Sequence, residues 1–148
     1  MLEICDLRTE YLKDPLGIDA VRPRFSWKIT SLASNVMQKA YEITASSDPD
    51  GQSVIWNSGR IESDTSQHVL WGGPPLSSGE RVYWKVLVEA GQASAASAVA
   101  SFEMGLLDPA DWEAEWIEVE AEIDPDAYKP APYLRNEFEV RAGLGKAR

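Results

Sequence analysis

Short runs in which apolar and polar residues alternate, cut apart by Pro, Gly, Ser and Asp, dominate this chain and leave little room for helical periodicity. In Arg24-Phe25-Ser26-Trp27-Lys28-Ile29-Thr30 the side chains of Phe25, Trp27 and Ile29 share one face and the polar residues share the other, which predicts a half-buried strand. Gln38 to Ala45 repeats the pattern with Tyr41, Ile43 and Ala45, and Asp48-Pro49-Asp50-Gly51 supplies the turn chemistry that ends it. Val54-Ile55-Trp56 stops at Asn57-Ser58-Gly59. Gln67 to Trp71 stops at Gly72-Gly73-Pro74-Pro75, whose prolines forbid a central ladder position, so both runs predict short or edge strands. Arg81 to Glu89 places Val82, Trp84, Val86 and Val88 on one face, and Ala98 to Met104 places Ala98, Ala100, Phe102 and Met104 on one face. These two are the expected central strands.

With a first strand around Ile4 to Arg8, the pattern gives about seven strands in residues 1–107, the spacing of an all-β sandwich. An apolar fraction of 44% can fill such a core. Composition changes after Leu107: residues 108–126 hold nine acids and no Lys or Arg, so a domain boundary is expected near Leu107-Asp108-Pro109. Apolar residues there sit at even positions (Trp112, Ala114, Trp116) and then odd ones (Ile117, Val119, Ala121, Ile123), a phase slip that suits a β-bulge in an acidic-faced strand. Tyr133 to Val140 predicts another strand. Residues 108–148 therefore read as a linker and the first strands of a truncated second β domain, because so short a segment cannot close a core of its own.

Lys and Arg number 14 against 24 Asp and Glu, a net charge of −10. Phosphate backbones and anionic membranes select clustered basic residues, so neither nucleic acid nor membrane is an expected partner. The N-terminus carries acids where a secretory signal needs a basic, then apolar, run, and no stretch approaches a membrane span. The expectation is a soluble chain with any export signal encoded elsewhere and its compartment open. One cysteine, Cys5, and one histidine, His68, exclude an internal disulfide, a Cys- or His-based metal set and a conventional Ser/His/Asp arrangement. Glu3 and Asp6 would raise the thiol pKa of Cys5, so a small buried hydrophobe is the expectation there, and a surface or rim position is expected for His68. Gly72-Gly73 followed by two prolines is a turn, and no phosphate cradle or cofactor motif occurs. The acids of 108–126 alternate with apolar residues as on a solvated face; Asp124 and Asp126 lack the glycine-punctuated loop of a calcium site.

Of the six tryptophans, Trp27 and Trp84 lie mid-strand among apolar neighbours and belong to the core. Trp56 and Trp71 border turns, and Trp112 and Trp116 share a face of the acidic strand. These four are the candidates for partial exposure and for contact with a carbohydrate or a neighbouring domain, against the plainer alternative of packing.

Several strings stand together in one order: Asp14-Pro15-Leu16-Gly17-Ile18-Asp19, Arg22-Pro23-Arg24-Phe25-Ser26-Trp27, Trp56-Asn57-Ser58-Gly59, Pro75-Leu76, Tyr83-Trp84-Lys85-Val86, Phe102-Glu103-Met104-Gly105-Leu106-Leu107 and Asp111-Trp112-Glu113-Ala114-Glu115-Trp116-Ile117. In this the chain resembles the N-terminus of bacterial α-L-rhamnosidases of glycoside hydrolase family 78. The resemblance implies a fibronectin type III or immunoglobulin-like sandwich followed by the start of a jelly-roll domain. It places catalysis in an (α/α)6 barrel further along such proteins, where acidic residues act as general acid and base in an inverting hydrolysis. The expected role is thus a non-catalytic accessory module without cofactor, partnered by other domains of its parent chain, with a rhamnose-containing glycan as a further candidate partner. The alternatives are a carbohydrate-binding module using exposed Trp and a stand-alone adhesion or scaffold sandwich. Two departures stand out. Counting from Leu76, the corner tyrosine of a fibronectin-like module would fall at Val82, with Tyr83 one residue out of phase, and Gly91 to Ser97 lacks the further Trp of the last two strands.

Overall fold

A computed structural model describes residues 1–117, 131, 133–140 and 142–143. Met1–Glu113 forms one compact unit and Ala114–Arg148 a second. In the first unit nine strands follow one another: β1 (Leu2–Thr9), β2 (Arg24–Ser31), β3 (Gln38–Ser46), β4 (Val54–Asn57), β5 (Ile61–Glu62), β6 (Val69–Leu70), β7 (Arg81–Ala90), β8 (Ala93–Ala96) and β9 (Ala100–Glu103), then a 3₁₀ turn at Pro109–Asp111. They build two antiparallel sheets: β1-β2-β6, and β4-β3-β7-β8 with β5 also on β3 and β9 also on β7. No helix among the described residues is long and apolar enough to cross a membrane.

Alternation decides which side chains lie between the sheets. Phe25 and Trp27 of β2, Ile43 and Ala45 of β3, Val82, Trp84, Val86 and Val88 of β7, and Phe102 of β9 are all buried in one cluster with Ile4, Ile18, Trp71 and Met104. Each large side chain so buried contributes roughly 1.5–3 kcal/mol. Phe25 sits at the centre: its ring lies 4.4 Å from that of Trp84, 6.0 Å from Phe102 and 6.2 Å from Trp71. Val82 is buried where a corner tyrosine would stand, and Tyr83 points to the other face with the Arg81 guanidinium 5.5 Å from its ring.

The strands expected from alternation are present in residues 1–107, and two more join them. β5 is only two residues long and β8 is built from small Ala and Ser side chains, so hydrogen bonding to β3 and β7 recruits them rather than pattern. Ala98 to Met104 is not a central strand as expected. β7 is ten residues long, and one of its edges serves both β8, at residues 87–90, and β9, at residues 81–84, so β9 is a short edge strand. Ser97 fills the break between them: its N–H donates to the Val86 carbonyl (2.8 Å) and its hydroxyl accepts from the Val86 N–H (3.0 Å).

Loop strings close the ends of the sandwich. Asp14-Pro15-Leu16-Gly17-Ile18 runs along residues 101–105: Gly17 and Ile18 N–H donate to the Glu103 carbonyl, Glu103 N–H to Pro15, Gly105 N–H to Ile18, and the Asp14 carboxylate accepts from Ser101 N–H. A Cβ on Gly105 would stand 3.1 Å from the Gly17 carbonyl oxygen, which is why glycine occupies that position. Past Ser46, which pairs with Tyr83 near the start of β7, the Asp48 carboxylate accepts from the N–H groups of Asp50, Gln52 and Ser53, making the predicted turn between β3 and β4.

The strand expected over residues 112–117 is absent, as is that over residues 133–140, which are exposed and carry no ladder, with Arg135 paired to Glu137. Alternation assigns residues to faces, but a strand exists only where its N–H and C=O groups meet a partner, and none is found among the described residues there. Trp112 and Trp116 therefore share no strand face. The rest of the proposed bulge, from Glu118 onward, lies outside the described residues, as do Asp124 and Asp126.

One buried polar network links the layers. The Trp27 indole N–H donates to the Gln38 side-chain oxygen (2.9 Å), and the Gln38 amide donates to the carbonyls of Ser63 (3.1 Å) and Thr65 (2.8 Å). Gln38→Leu would strand one buried donor and two carbonyls, so it is expected to lower the unfolding free energy by about 1–3 kcal/mol. A urea midpoint unchanged from the wild-type chain would contradict that role.

Candidate functional site

The four candidate tryptophans separate into three environments. Trp71 is 1% exposed, a correction to its expected position at a rim. Its ring leans on Phe25, Phe102 and Trp56, its indole N–H donates to the Pro74 carbonyl (2.8 Å), and its backbone N–H donates to Pro23 (2.8 Å). Gly73 seals it: a Cβ there would stand 2.4 Å from the Trp71 ring and 2.9 Å from Trp56. In place of the expected turn at Gly72-Gly73 the chain bends at Gly73-Pro74, and the two glycines let backbone lie against two indoles. Trp56 is half-buried and lines a cleft of about 420 Å³ with Tyr41, Thr65, His68 and Leu70. Trp112 and Trp116 are 61% and 97% exposed.

A second cleft, about 220 Å³, lies beside the first and shares His68 with it. Its walls come from β1 (Asp6, Arg8), the following loop (Tyr11), β2 (Ser26, Lys28) and the loop before β6 (Gln67, His68). Sequence reading passed over this cleft because β1 with its loop, β2 and the loop before β6 are far apart in the chain. A signal existed: Ile4 and Leu7 both turn to the core across three residues instead of two, which marks a bulge in β1. At that bulge, two β1 residues, Asp6 and Leu7, oppose the single residue Trp27 of β2, and Asp6 takes a left-handed backbone (φ 50°). Three cations converge on its carboxylate: Lys28 at 2.7 Å, Arg8 at 3.0 Å and Lys13 at 3.4 Å. They hold Asp6 far below the usual carboxylate range, with the Lys28 hydrogen bond the largest influence.

The other acids with a shifted titration are likewise held ionised. The Arg24 guanidinium forks onto Glu10 (2.6 Å at the closest) and lowers it, Arg60 lowers Glu89, and backbone N–H groups, first that of Gln52, lower Asp48. A glycosidase general acid needs the opposite, a carboxyl pushed up by an apolar pocket. No group of three His, Cys, Asp or Glu among the described residues is placed to hold a metal ion. His68 is at the surface as expected, with its ring edge-on to Tyr11 at 5.2 Å. Cys5 is half-buried rather than buried, because it stands opposite Lys28 on the face of β1 turned away from core-facing Ile4.

Comparison with known proteins matches residues 4–108 to the family model described as Rha78A-like, N-terminal immunoglobulin domain. A curated α-L-rhamnosidase of Streptomyces avermitilis is 38% identical over 82% of this chain and 12% of its own length, and one of Alteromonas sp. is 38% identical over 91% of this chain and 16% of its own. The crystal structure of the S. avermitilis α-L-rhamnosidase complexed with L-rhamnose superposes with a TM-score of 0.76 at 35% identity, covering 80% of this chain and 12% of that one. The α-L-rhamnosidase from Dictyoglumus thermophilum superposes with a TM-score of 0.72 at 31% identity, covering 78% and 14%. The chain thus spans about an eighth to a sixth of the relatives it matches. With the two sheets, the closing loop strings and the matched residues in agreement, the chain belongs to the Rha78A-like N-terminal immunoglobulin domain family.

Proposed function

We propose that this chain is a non-catalytic accessory module of an α-L-rhamnosidase-type glycoside hydrolase, with the sandwich in residues 1–107 and the beginning of the next β domain in 108–148. Its parent would remove terminal α-L-rhamnose from glycans, and its partners would be the other domains of that parent. The observation that carries this reading is the match of nearly the whole sandwich to a family defined at the N-terminus of such enzymes, with only 12–16% of each curated relative covered. The acids support it, since among the described residues each carboxylate with a shifted titration is lowered by a cation or backbone N–H and so serves the fold. So does the exit of the sandwich: Asp108 and Asp111 cap the 3₁₀ turn reciprocally, the Ser78 hydroxyl donates to Asp111, and Leu107 N–H donates to Ser78 (2.8 Å). The half-buried indole of Trp56 on an open cleft favours a second reading, direct contact with sugar.

The purified chain is expected to leave an aryl α-L-rhamnoside intact, and L-rhamnose is expected to leave its indole NMR signals unmoved. Hydrolysis that disappears on carboxylate substitution would overturn the non-catalytic reading, and a saturable shift confined to Trp56 would select the sugar-contact reading.

The depressed carboxylates also set the pH response. A group whose folded pKa lies below its unfolded one contributes stability above the unfolded value, about 4 for these acids, and loses it as pH falls toward the folded value. The melting temperature is therefore expected to hold from pH 7 to about pH 5 and to fall below that, with Glu10→Gln flattening part of the slope. A melting temperature rising on acidification would contradict the pairing of Glu10 with Arg24.

A further inference from the structure

Six non-glycine residues among those described adopt a left-handed backbone, and three of them, Asp6 (φ 50°), Tyr11 (φ 68°) and His68 (φ 57°), line the 220 Å³ cleft. A side-chain-bearing residue resists this conformation and keeps it only where the surroundings impose it, and such residues concentrate at binding sites. The surroundings here are specific. The bulge opposite Trp27 fixes Asp6, the Ser26 hydroxyl accepts from the His68 backbone N–H (3.1 Å), and the Tyr11 ring has the Arg24 guanidinium 5.1 Å from its centre and the His68 ring edge-on at 5.2 Å.

The charge of the cleft runs against that of the chain. Around Asp6 stand Arg8, Lys13 and Lys28, three positive charges less one negative, a local +2 in a chain of net charge −10. The neighbouring Arg24 and Glu10 neutralise each other. One carboxylate cannot use every N–H donor of two ammonium groups and a guanidinium, and the lysine side chains remain 65% and 67% exposed. Asp6 thus gathers three like charges at one point without exhausting them. A second anion can bind there through charge-assisted hydrogen bonds.

We propose that this cleft binds an acidic saccharide, a uronate-type sugar whose carboxylate sits among Arg8, Lys13 and Lys28 and whose ring lies against Tyr11 and His68. The ring surface distinguishes a sugar from a bare anion: Tyr11 is more than half exposed and offers an apolar face, while Ser26 and Gln67 offer hydrogen-bonding groups beside it. The cleft is the size of one sugar ring. The choice of a saccharide over an acidic peptide rests on the glycosidase-module reading, whereas the anion subsite rests on the geometry alone.

The test is a two-dimensional NMR titration of the 148-residue chain at low salt with a galacturonate oligosaccharide, its methyl-esterified neutral counterpart, a poly-glutamate peptide and sodium sulfate. The acidic oligosaccharide is expected to shift the amides of Arg8, Tyr11, Lys28 and His68 saturably, to weaken as salt rises, and to bind on the order of tenfold more weakly to the Lys13→Ala/Lys28→Ala chain, whose lysines are solvent-facing. Absence of shifts, equal shifts from the neutral sugar, affinity unchanged in the double variant, or tighter binding of poly-glutamate would each overturn the proposal. Sulfate saturating the same amides with equal affinity would reduce the cleft to an anion site and overturn the sugar. None of these outcomes bears on rhamnoside hydrolysis or L-rhamnose binding, so failure here leaves the accessory-module reading standing, while failure of that reading would leave the anion subsite and remove the ground for choosing a saccharide.

Discussion

The ring of Phe25 lies 4.4 Å from that of Trp84, and through this contact the two sheets become one domain. Phe25 belongs to the three-stranded sheet and Trp84 to the six-stranded one. Three strands, one of them only two residues long, are marginal alone and gain independent stability only by covering a hydrophobic face. Trp71 and Phe102 complete the packing around Phe25, and Trp56 stacks beyond it at 6.5 Å. The glycine pair before the prolines is a consequence of this arrangement, since two indoles in that corner leave no room for side chains on the backbone covering them.

Once the layers are fixed, the loops have defined work. Asp14 to Ile18 pairs with residues 101–105 and closes one side, Asp48 organises the β3–β4 turn, and Asp111 with Ser78 fixes the exit. The acids in these positions accept hydrogen bonds that hold backbone in place. Around Asp6 the same chemistry gathers charge: a bulge that resolves a mismatch between β1 and β2 also turns a carboxylate toward three cations. The same local distortion thus serves both packing and the surface cleft beside β1.

Most of the sandwich was legible in the sequence, because large residues in period-two runs leave only one way to bury Phe25, Trp27, Trp84 and Val86 together. β5 and β8 were not, since Ile61-Glu62 and Ala93 to Ala96 are strands only by virtue of ladder partners far away in the chain. Trp71 looked like a rim residue because turn glycines flank it; nothing local reveals that those glycines fold over its ring. The apparent strands at 112–117 and 133–140 fail for the opposite reason, a good pattern with no ladder among the described residues. The Asp6 cleft was hidden because its walls are assembled from residues as far apart as Asp6 and His68.

Native-state hydrogen exchange on the 148-residue chain tests the central role of the Phe25–Trp84 contact most directly. If that contact makes the two sheets one cooperative unit, the slowest amides of Arg24–Ser31 will exchange with the same opening free energy as those of Gln38–Ser46 and Arg81–Ala90. A separate, lower-energy opening of Arg24–Ser31, with the other two strands still protected, would show that the three-stranded sheet comes away on its own and would contradict this account.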